Sequence, residues 1–191
     1  MLTEQQIKDL FIKSGAILEG HFLLTSGNHS PLYLEKFQVL QHPEYTALMC
    51  KDLAELFAGD NVQLVVGPAT GGILLAHEVG KNLGTRAIFT ERENGKMIMK
   101  RGFAIQPGER VLIVEDIVTT GGSIHEVINI VKEQGGEIVG VAMLVDRSGG
   151  KAEFGAPKKA LLTLEVPTYA PDQCPLCKAG VEITKRGRTG K

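Results

Sequence analysis

Two adjacent carboxylates, Glu115 and Asp116, are followed closely by Thr119-Thr120-Gly121-Gly122-Ser123, and these residues are the part of the chain best suited to chemistry. The acids sit where a short apolar run, Val111-Leu112-Ile113-Val114, should emerge at its C-terminal end as a fully buried strand. The small residues after them can turn backbone amides and hydroxyls onto one ligand. Ile124, Val127, Ile128 and Val131 then recur at i, i+3, i+4 and i+7, which predicts a helix with one apolar face. The loop therefore ends at a helix N-terminus, where free N–H groups and the positive end of the dipole favour a phosphate. A phosphate and a pair of hydroxyls bound side by side would use both halves of the segment, and a ribose 5-phosphate offers that pairing.

Two other phosphate loops fail on this stretch. A P-loop needs a Lys after its second Gly, and none follows Gly121-Gly122. The dinucleotide fingerprint needs G-x-G-x-x-G directly after the strand, where this chain has its two acids. A plain Gly-Gly turn with Thr as a helix cap would leave two carboxylates at a buried strand end without a purpose. The sequence Val111 to Ser123, VLIVEDIVTTGGS, resembles the phosphoribosyl pyrophosphate (PRPP) motif of type I phosphoribosyltransferases.

Composition sets the frame for that motif. The chain has 191 residues, most simply one domain of residues 1–191 with a real core, since domains typically run to roughly 100–200 residues. A formal net charge of −1 gives no global attraction to nucleic acid or to an anionic membrane. There is no apolar stretch near the roughly 20 residues of a membrane span and no signal-peptide pattern, so a cytoplasmic location is expected. Three cysteines do not make a disulfide framework. Cys50 falls on an apolar helical face and reads as packing. Cys174 and Cys177 form a C-x-x-C with no further His or Cys near it in sequence to complete four ligands, so an inert or occasionally oxidised pair is expected. The basic, Gly-containing tail 185–191 reads as a disordered terminus rather than a nucleic-acid patch.

The elements that must position the acids follow from periodicity. Ile7, Leu10 and Phe11 mark an N-terminal helix stopped at Ser14-Gly15. Residues 16–42 lack a helical period and carry turn residues, which suggests short strands in a separate cap. A long helix is expected from about Pro43, with Leu48, Met49, Leu53, Leu56 and Phe57 facing inward. Strands are then expected at Val62–Val66, from Ala87 to Phe89, at Val111–Val114, at Ile138–Val145 and at Leu161–Val166. A loop at Gly67–Gly72 and helices at Ile73–Leu83 and Ile124–Gln134 fall between them. Such alternation implies an α/β fold with a central, mostly parallel sheet flanked by helices. Ligands of these sheets collect outside the strand C-termini, where Gly67–Gly72, Glu115–Ser123 and Asp146-Arg147 all fall.

Residues 22–33, Phe-Leu-Leu-Thr-Ser-Gly-Asn-His-Ser-Pro-Leu-Tyr, resemble the hood of orotate phosphoribosyltransferases, which carry Ser-Gly-x-x-Ser-Pro-x-Tyr. Val66-Gly67-Pro68-Ala69-Thr70-Gly71-Gly72-Ile73 resembles their pyrophosphate loop, and Arg101-Gly102-Phe103, Pro107 to Arg110 and Asp146-Arg147 also fit. The resemblance implies the type I phosphoribosyltransferase fold, with a small N-terminal hood (about 16–42 plus the C-terminal segment) and a PRPP-binding core (about 43–166). It implies a glycosyltransferase that moves ribose 5-phosphate from PRPP to orotate, giving orotidine 5′-monophosphate and pyrophosphate in pyrimidine biosynthesis. Mg²⁺ would be held mainly through PRPP, with no direct protein ligand, and the protein would be a homodimer without nucleic-acid or membrane partners. Glu115 and Asp116 would serve the ribose, with Ile117, Val118, Thr119, Thr120, Gly121, Gly122 and Ser123 completing the PRPP site. Thr70 and Gly71 would approach the pyrophosphate, while Thr119, Arg147, Tyr33 and Leu34 would meet orotate.

Some positions depart from the family. Many members carry a long loop with Lys-x-x-x-His-Gly, whereas residues 90–101 here are short, lack His and contain Asn94-Gly95, a type I′ hairpin signal. The lysine of the family's pyrophosphate loop is replaced by Thr70-Gly71, and the hood lysine of some relatives is Thr25 here. Arg92, Lys96, Lys100 and Arg101 are the nearest cations, of which Arg92 and then Lys100 are carried over as catalytic; in the family this loop enters the neighbouring subunit's site. The alternatives are a phosphoribosyltransferase for a purine or xanthine base, against which the hood pattern argues, and a PRPP-sensing regulator, for which a DNA-binding helix-turn-helix is missing.

Overall fold

A Thr3 capping box starts the first helix: Thr3 Oγ1 accepts the Gln6 N–H at 3.2 Å and Gln6 Oε1 accepts the Thr3 N–H at 2.9 Å. This helix, α1 (Glu4–Lys13), ends at Ser14 as expected and buries Ile7 and Phe11. The computed structural model describes residues 1–24 and 26–185, so Thr25 and the rest of the basic tail, 186–191, lie outside the described residues.

Strands β1 (Ile17–Leu23) and β2 (His29–Leu34) pair antiparallel as a small separate sheet. Residues 16–42 are not strand alone, however. A short helix, α2 (Lys36–Leu40), follows β2 and buries Val39 and Leu40, and its single turn and a half is too short to show a period in sequence. Helix α3 (Pro43–Leu56) carries Pro at its first turn, where the missing N–H costs nothing. Met49, Leu53 and Phe57 are buried as expected, but Leu48 is 47% exposed and faces away from the core.

The main sheet contains β3 (Leu64–Pro68), β4 (Arg86–Glu93), β5 (Lys96–Met99), β6 (Arg110–Val118), β7 (Glu137–Asp146) and β8 (Lys158–Thr163), in the order β5-β4-β3-β6-β7-β8. All neighbours are parallel except the β4–β5 ribbon. That ribbon turns at Asn94 (φ 51°) and Gly95 (φ 81°), the two positive dihedrals of a type I′ turn. Helices α4 (Gly71–Leu83) and α5 (Gly122–Glu133) connect the parallel strands. Successive residues of one strand serve opposite faces: Leu112 and Val114 join the cluster under α3 and α4, and Val111 and Ile113 join the one under α5. This is why the run is apolar without alternation. No helix among the described residues is long and apolar enough to cross a membrane.

Strand β6 is longer than its apolar run. It continues through Glu115 and Asp116 to Val118, pairing Glu115 with Met143 and Val118 with Asp146 on β7. The acids therefore lie within a rigid strand rather than just beyond one. The last strand also begins earlier than expected, at Lys158.

At the C-terminal end, α6 (Pro175–Lys178) and β9 (Thr184–Lys185) return to the small sheet, where β9 runs parallel to β1 and Tyr169 bridges to His29. The expectation that Cys174 and Cys177 have no companions fails here. Chain distant in sequence brings His21 of β1 and His29 of β2 against them, with all four potential ligand atoms within 4.8 Å of one another.

One glycine in the sheet is fixed by packing alone. A Cβ on Gly140 would lie 2.3 Å from Cε1 of the buried Phe57 ring. Gly140→Ala should therefore cost about 1–3 kcal/mol by overpacking, read as a lower urea midpoint at unchanged m-value; an unaltered midpoint would show that the ring is free to move aside.

Candidate active site

The C-terminal ends of β3, β6 and β7 open into two adjoining cavities that share Ile117, Thr119 and Ser123. The larger is about 690 Å³ and is bordered by Tyr33, Leu34, Lys36, Thr70, Asp116 and Arg147 among others. The smaller, about 290 Å³, is formed by Ile117 to Ile124 together with Arg92, Glu115 and Glu126. The crevice at the strand ends is where a doubly covered parallel sheet is expected to bind its ligand.

The smaller cavity is an anion cradle by construction. Gly121 holds the left-handed conformation that turns the chain into α5 (φ 77°), and a Cβ there would lie 2.6 Å from the Phe154 ring. No side chain caps α5, so its first N–H groups are left to the cavity. Arg92 borders the same cavity within its own chain. Its guanidinium is gripped by Glu126 of α5, with Nη1 3.2 Å from Oε1 and Nη2 on Oε2, and Nη1 also donates to the Gly95 carbonyl at 2.8 Å.

Across the crevice, the loop between β3 and α4 approaches β6 so closely that side chains are excluded. A Cβ on Gly71 would come within 1.8 Å of Asp116 Oδ2, and one on Gly67 within 2.1 Å of the Gly72 carbonyl oxygen. The Ala69–Thr70 peptide is cis. Helix α4 starts here at Thr70, again without a side-chain cap. Two open helix N-termini thus face one crevice from either side of β6.

The two acids have different surroundings. Asp116 is 1% exposed; its Oδ1 accepts the Ile117 N–H at 2.6 Å and a Lys36 ammonium hydrogen at 2.9 Å. Its Oδ2 lies 2.7 Å from the same ammonium but outside hydrogen-bond geometry, so this buried oxygen has charge compensation without a donor. Glu115 Oε1 accepts the Asp116 N–H at 3.0 Å. Burial, and then the neighbouring Asp116 charge, push the Glu115 carboxyl up to about 8, so it is mostly protonated at neutral pH.

Arg147 stands at the far side of the larger cavity. Asp146, its neighbour, is not its partner: Oδ1 of Asp146 accepts from Ser148 N at 2.7 Å and Oγ at 2.6 Å, and Oδ2 accepts from Gly150 N at 3.2 Å. Burial pushes the Arg147 guanidinium below its ordinary value, with Tyr33 opposing, and its Nε is buried without a hydrogen-bond partner. A half-buried guanidinium with an unused donor on a cavity wall is suited to a planar carboxylate.

Most residues singled out in sequence thus come together: Tyr33, Leu34, Thr70, Glu115, Asp116, the 117–123 loop, Arg147 and Arg92 all border the crevice, and Gly71 backs Asp116. Lys100 does not. It lies on the outer ribbon against Glu93 and borders neither cavity of its own chain. Lys36 is the cation that sequence reasoning missed. Its signal was a lysine just after the Tyr33-Leu34 hood pattern in a chain lacking two family lysines, but its partner is 80 residues away.

Comparison with known proteins agrees with this fold. The chain matches the phosphoribosyl transferase domain over residues 38–171. It is 56% identical over 186 residues to the orotate phosphoribosyltransferase of Desulforamulus reducens, covering 97% of both chains. It is 48% identical over 184 residues to that of Thermotoga maritima, covering 96% of this chain and 98% of the other. The crystal structure of orotate phosphoribosyltransferase from Aeropyrum pernix superposes with a TM-score of 0.71 at 28% identity, over 83% of this chain and 94% of that one.

The buried Glu115 makes stability depend on pH with a definite sign. Its folded pKa, about 8, lies well above the ordinary carboxylate range, so the folded state holds the proton more tightly and loses stability as pH rises across that window. Glu115→Gln abolishes this loss and keeps the acceptor for Asp116 N–H. The variant's stability advantage should widen between about pH 5 and 8 by on the order of 2 kcal/mol, measured by urea unfolding. A constant difference would place the Glu115 pKa near its ordinary value.

Proposed function

The chain belongs to the phosphoribosyltransferase family, among the orotate phosphoribosyltransferases, and from that premise we propose that its crevice transfers ribose 5-phosphate from PRPP to orotate. The products are orotidine 5′-monophosphate and pyrophosphate, a step of pyrimidine biosynthesis. The observation that carries this reading is the pairing, in one crevice, of an uncapped helix N-terminus beside two carboxylates with a half-buried, incompletely bonded arginine opposite.

The 5′-phosphate sits in the cradle of Thr119 to Ser123 and receives the free amides of α5. The ribose hydroxyls reach Glu115 and Asp116, and the protonated Glu115 can donate as well as accept. Orotate lies between Tyr33, Leu34 and Thr119, with its carboxylate on Arg147. The pyrophosphate lies along Thr70-Gly71 at the open end of α4. Orotate N1 then bonds to the ribose C1 as the C1–pyrophosphate bond breaks; that bond's electron pair leaves with the pyrophosphate, and the N1 proton is given up to water or to the departing pyrophosphate oxygens. The protein's contribution is alignment and preorganised charge. Asp116 lies near the cationic sugar, while Lys36, released from Asp116, meets the departing oxygens. Arg92 adds positive charge at the phosphate cradle of its own chain. Lys100 acts only if the β4–β5 ribbon presents it to a second copy.

Mg²⁺ fits this arrangement as an ion carried by PRPP. Both acids are already engaged in the protein, so they do not form a ready cage for a bare ion. When bound, the ion neutralises pyrophosphate charge. The protein acts as a homodimer in this reading, supported by the exposed Leu48 and Leu74 on the mutually packed helices α3 and α4. A cytoplasmic location is supported by its three free cysteines.

An absorbance assay of orotate consumption with PRPP and Mg²⁺ tests the assignment. Wild-type protein should turn over orotate and neither hypoxanthine nor adenine. Arg147→Ala should raise the KM for orotate on the order of 30-fold, about 2 kcal/mol for a truncated buried charge partner, with the KM for PRPP little changed. Turnover of a purine in place of orotate, or an unchanged orotate KM, would overturn it.

A further inference from the structure

Outside the crevice, the most concentrated chemistry is where the C-terminal segment meets the small sheet. From residue 171 to 185 only Cys174 is buried, so this stretch, including α6 and β9, has no apolar core of its own. It is joined to the small sheet by a two-residue pairing of β9 with β1 and by the His29–Tyr169 bridge. Such sparse attachment does not ordinarily order a segment of this length.

Four side chains converge at the junction. His21 and His29 are 2% and 6% exposed and Cys174 is fully buried, with Cys177 at the rim. A bulge in the β1–β2 pairing between Glu19 and Phe22 lies beside His21, and His21 and Phe22 are both buried. His21 Nε2 lies 3.0 Å from His29 Nδ1, 3.5 Å from Cys174 Sγ and 3.7 Å from Cys177 Sγ; Cys177 Sγ lies 3.2 Å from His29 Nδ1. Tetrahedral zinc with Zn–S about 2.3 Å and Zn–N about 2.0–2.1 Å sets ligand separations of roughly 3.3–3.8 Å, and the separations here, from 3.0 to 3.7 Å, lie within a few tenths of an ångström of that range.

Hydrogen bonds can be drawn within this cluster, but several of them compete for one acceptor. His21 Nδ1 is 2.8 Å from the Val181 carbonyl, which can only accept, so the proton resides on Nδ1 and Nε2 presents one lone pair. Three groups crowd that lone pair, the two thiols and the second imidazole. A cation satisfies all four at once. The Val181 carbonyl then acts as the outer partner that orients a ligating histidine, the usual companion of a metal-bound imidazole.

We propose that His21, His29, Cys174 and Cys177 bind a structural zinc ion that clasps the C-terminal segment to the small sheet. Two thiolates and two imidazoles are a tetrahedral zinc donor set, and four protein ligands leave no open position for chemistry. The ion binds as both thiols lose their protons, giving a neutral site. Residues about 150 apart in the chain are thereby joined without a core. The clasp also bears on the crevice, because the strand that carries His29 runs on to Tyr33 and Leu34.

Metal analysis of tag-free protein purified under reducing conditions tests this directly. Wild-type protein, as isolated or after incubation with zinc and desalting, should hold about one zinc per chain. Cobalt(II) added to metal-free protein should produce thiolate charge-transfer and tetrahedral ligand-field absorption, saturating at about one equivalent. Cys177→Ser should lower zinc affinity by at least roughly tenfold, and a chelator should lower the melting temperature of wild type but not of this variant. Because the cobalt titration uses the unaltered chain, a poorly folding variant leaves the test intact. No retained zinc and no tetrahedral cobalt spectrum, or a Cys174–Cys177 disulfide under the same reducing conditions, would overturn the proposal.

Discussion

A carboxylate buried inside a central strand must be compensated, and Asp116 imposes that requirement on everything around it. At 1% exposure its charge cannot rely on water. Lys36 supplies the cation from the end of the small sheet, and the Ile117 amide supplies a hydrogen bond from the strand itself. The third neighbour is bare backbone: Gly71 lies so close to Oδ2 that no larger residue fits. The small sheet, the β3–α4 loop and the strand end are therefore held in one relation by a single side chain.

That relation determines what the crevice can do. The same closeness that excludes a side chain at Gly71 sets the open end of α4 opposite the open end of α5, so two sets of unused amides face a common space. Anionic groups can occupy both ends while a neutral sugar spans the acids between them. Glu115, pushed up to about 8 by burial and by its neighbour, keeps the twin acids from carrying two full negative charges side by side. Arg147 keeps its donor free because Asp146 is spent on the Ser148–Gly150 turn.

Much of this was legible in sequence, for local reasons. The loop from Thr119 to Ser123 and the helix after it follow from helical periodicity and Gly placement, and the Asn94-Gly95 ribbon from turn chemistry. What escaped depended on partners far away in the chain. Strand β6 runs past its apolar stretch because β7 pairs with it through Val118, and pairing leaves no mark on hydrophobicity. Helix α2 is too short for periodicity, so Lys36 had no frame in which to be seen. The Cys174–Cys177 pair was visible as half of a ligand set, but its other half lies 145 to 156 residues earlier, where only the folded small sheet aligns it.

We attribute PRPP binding in the crevice to the bare backbone at Gly71, set against Asp116. Calorimetric titration of Gly71→Ala with PRPP and Mg²⁺ tests it most directly, with thermal melting to verify that the variant is folded. The account predicts a folded protein whose PRPP affinity falls at least on the order of 30-fold, since a displaced, buried charge pair costs about 2 kcal/mol or more. Binding as tight as that of the wild type would contradict it.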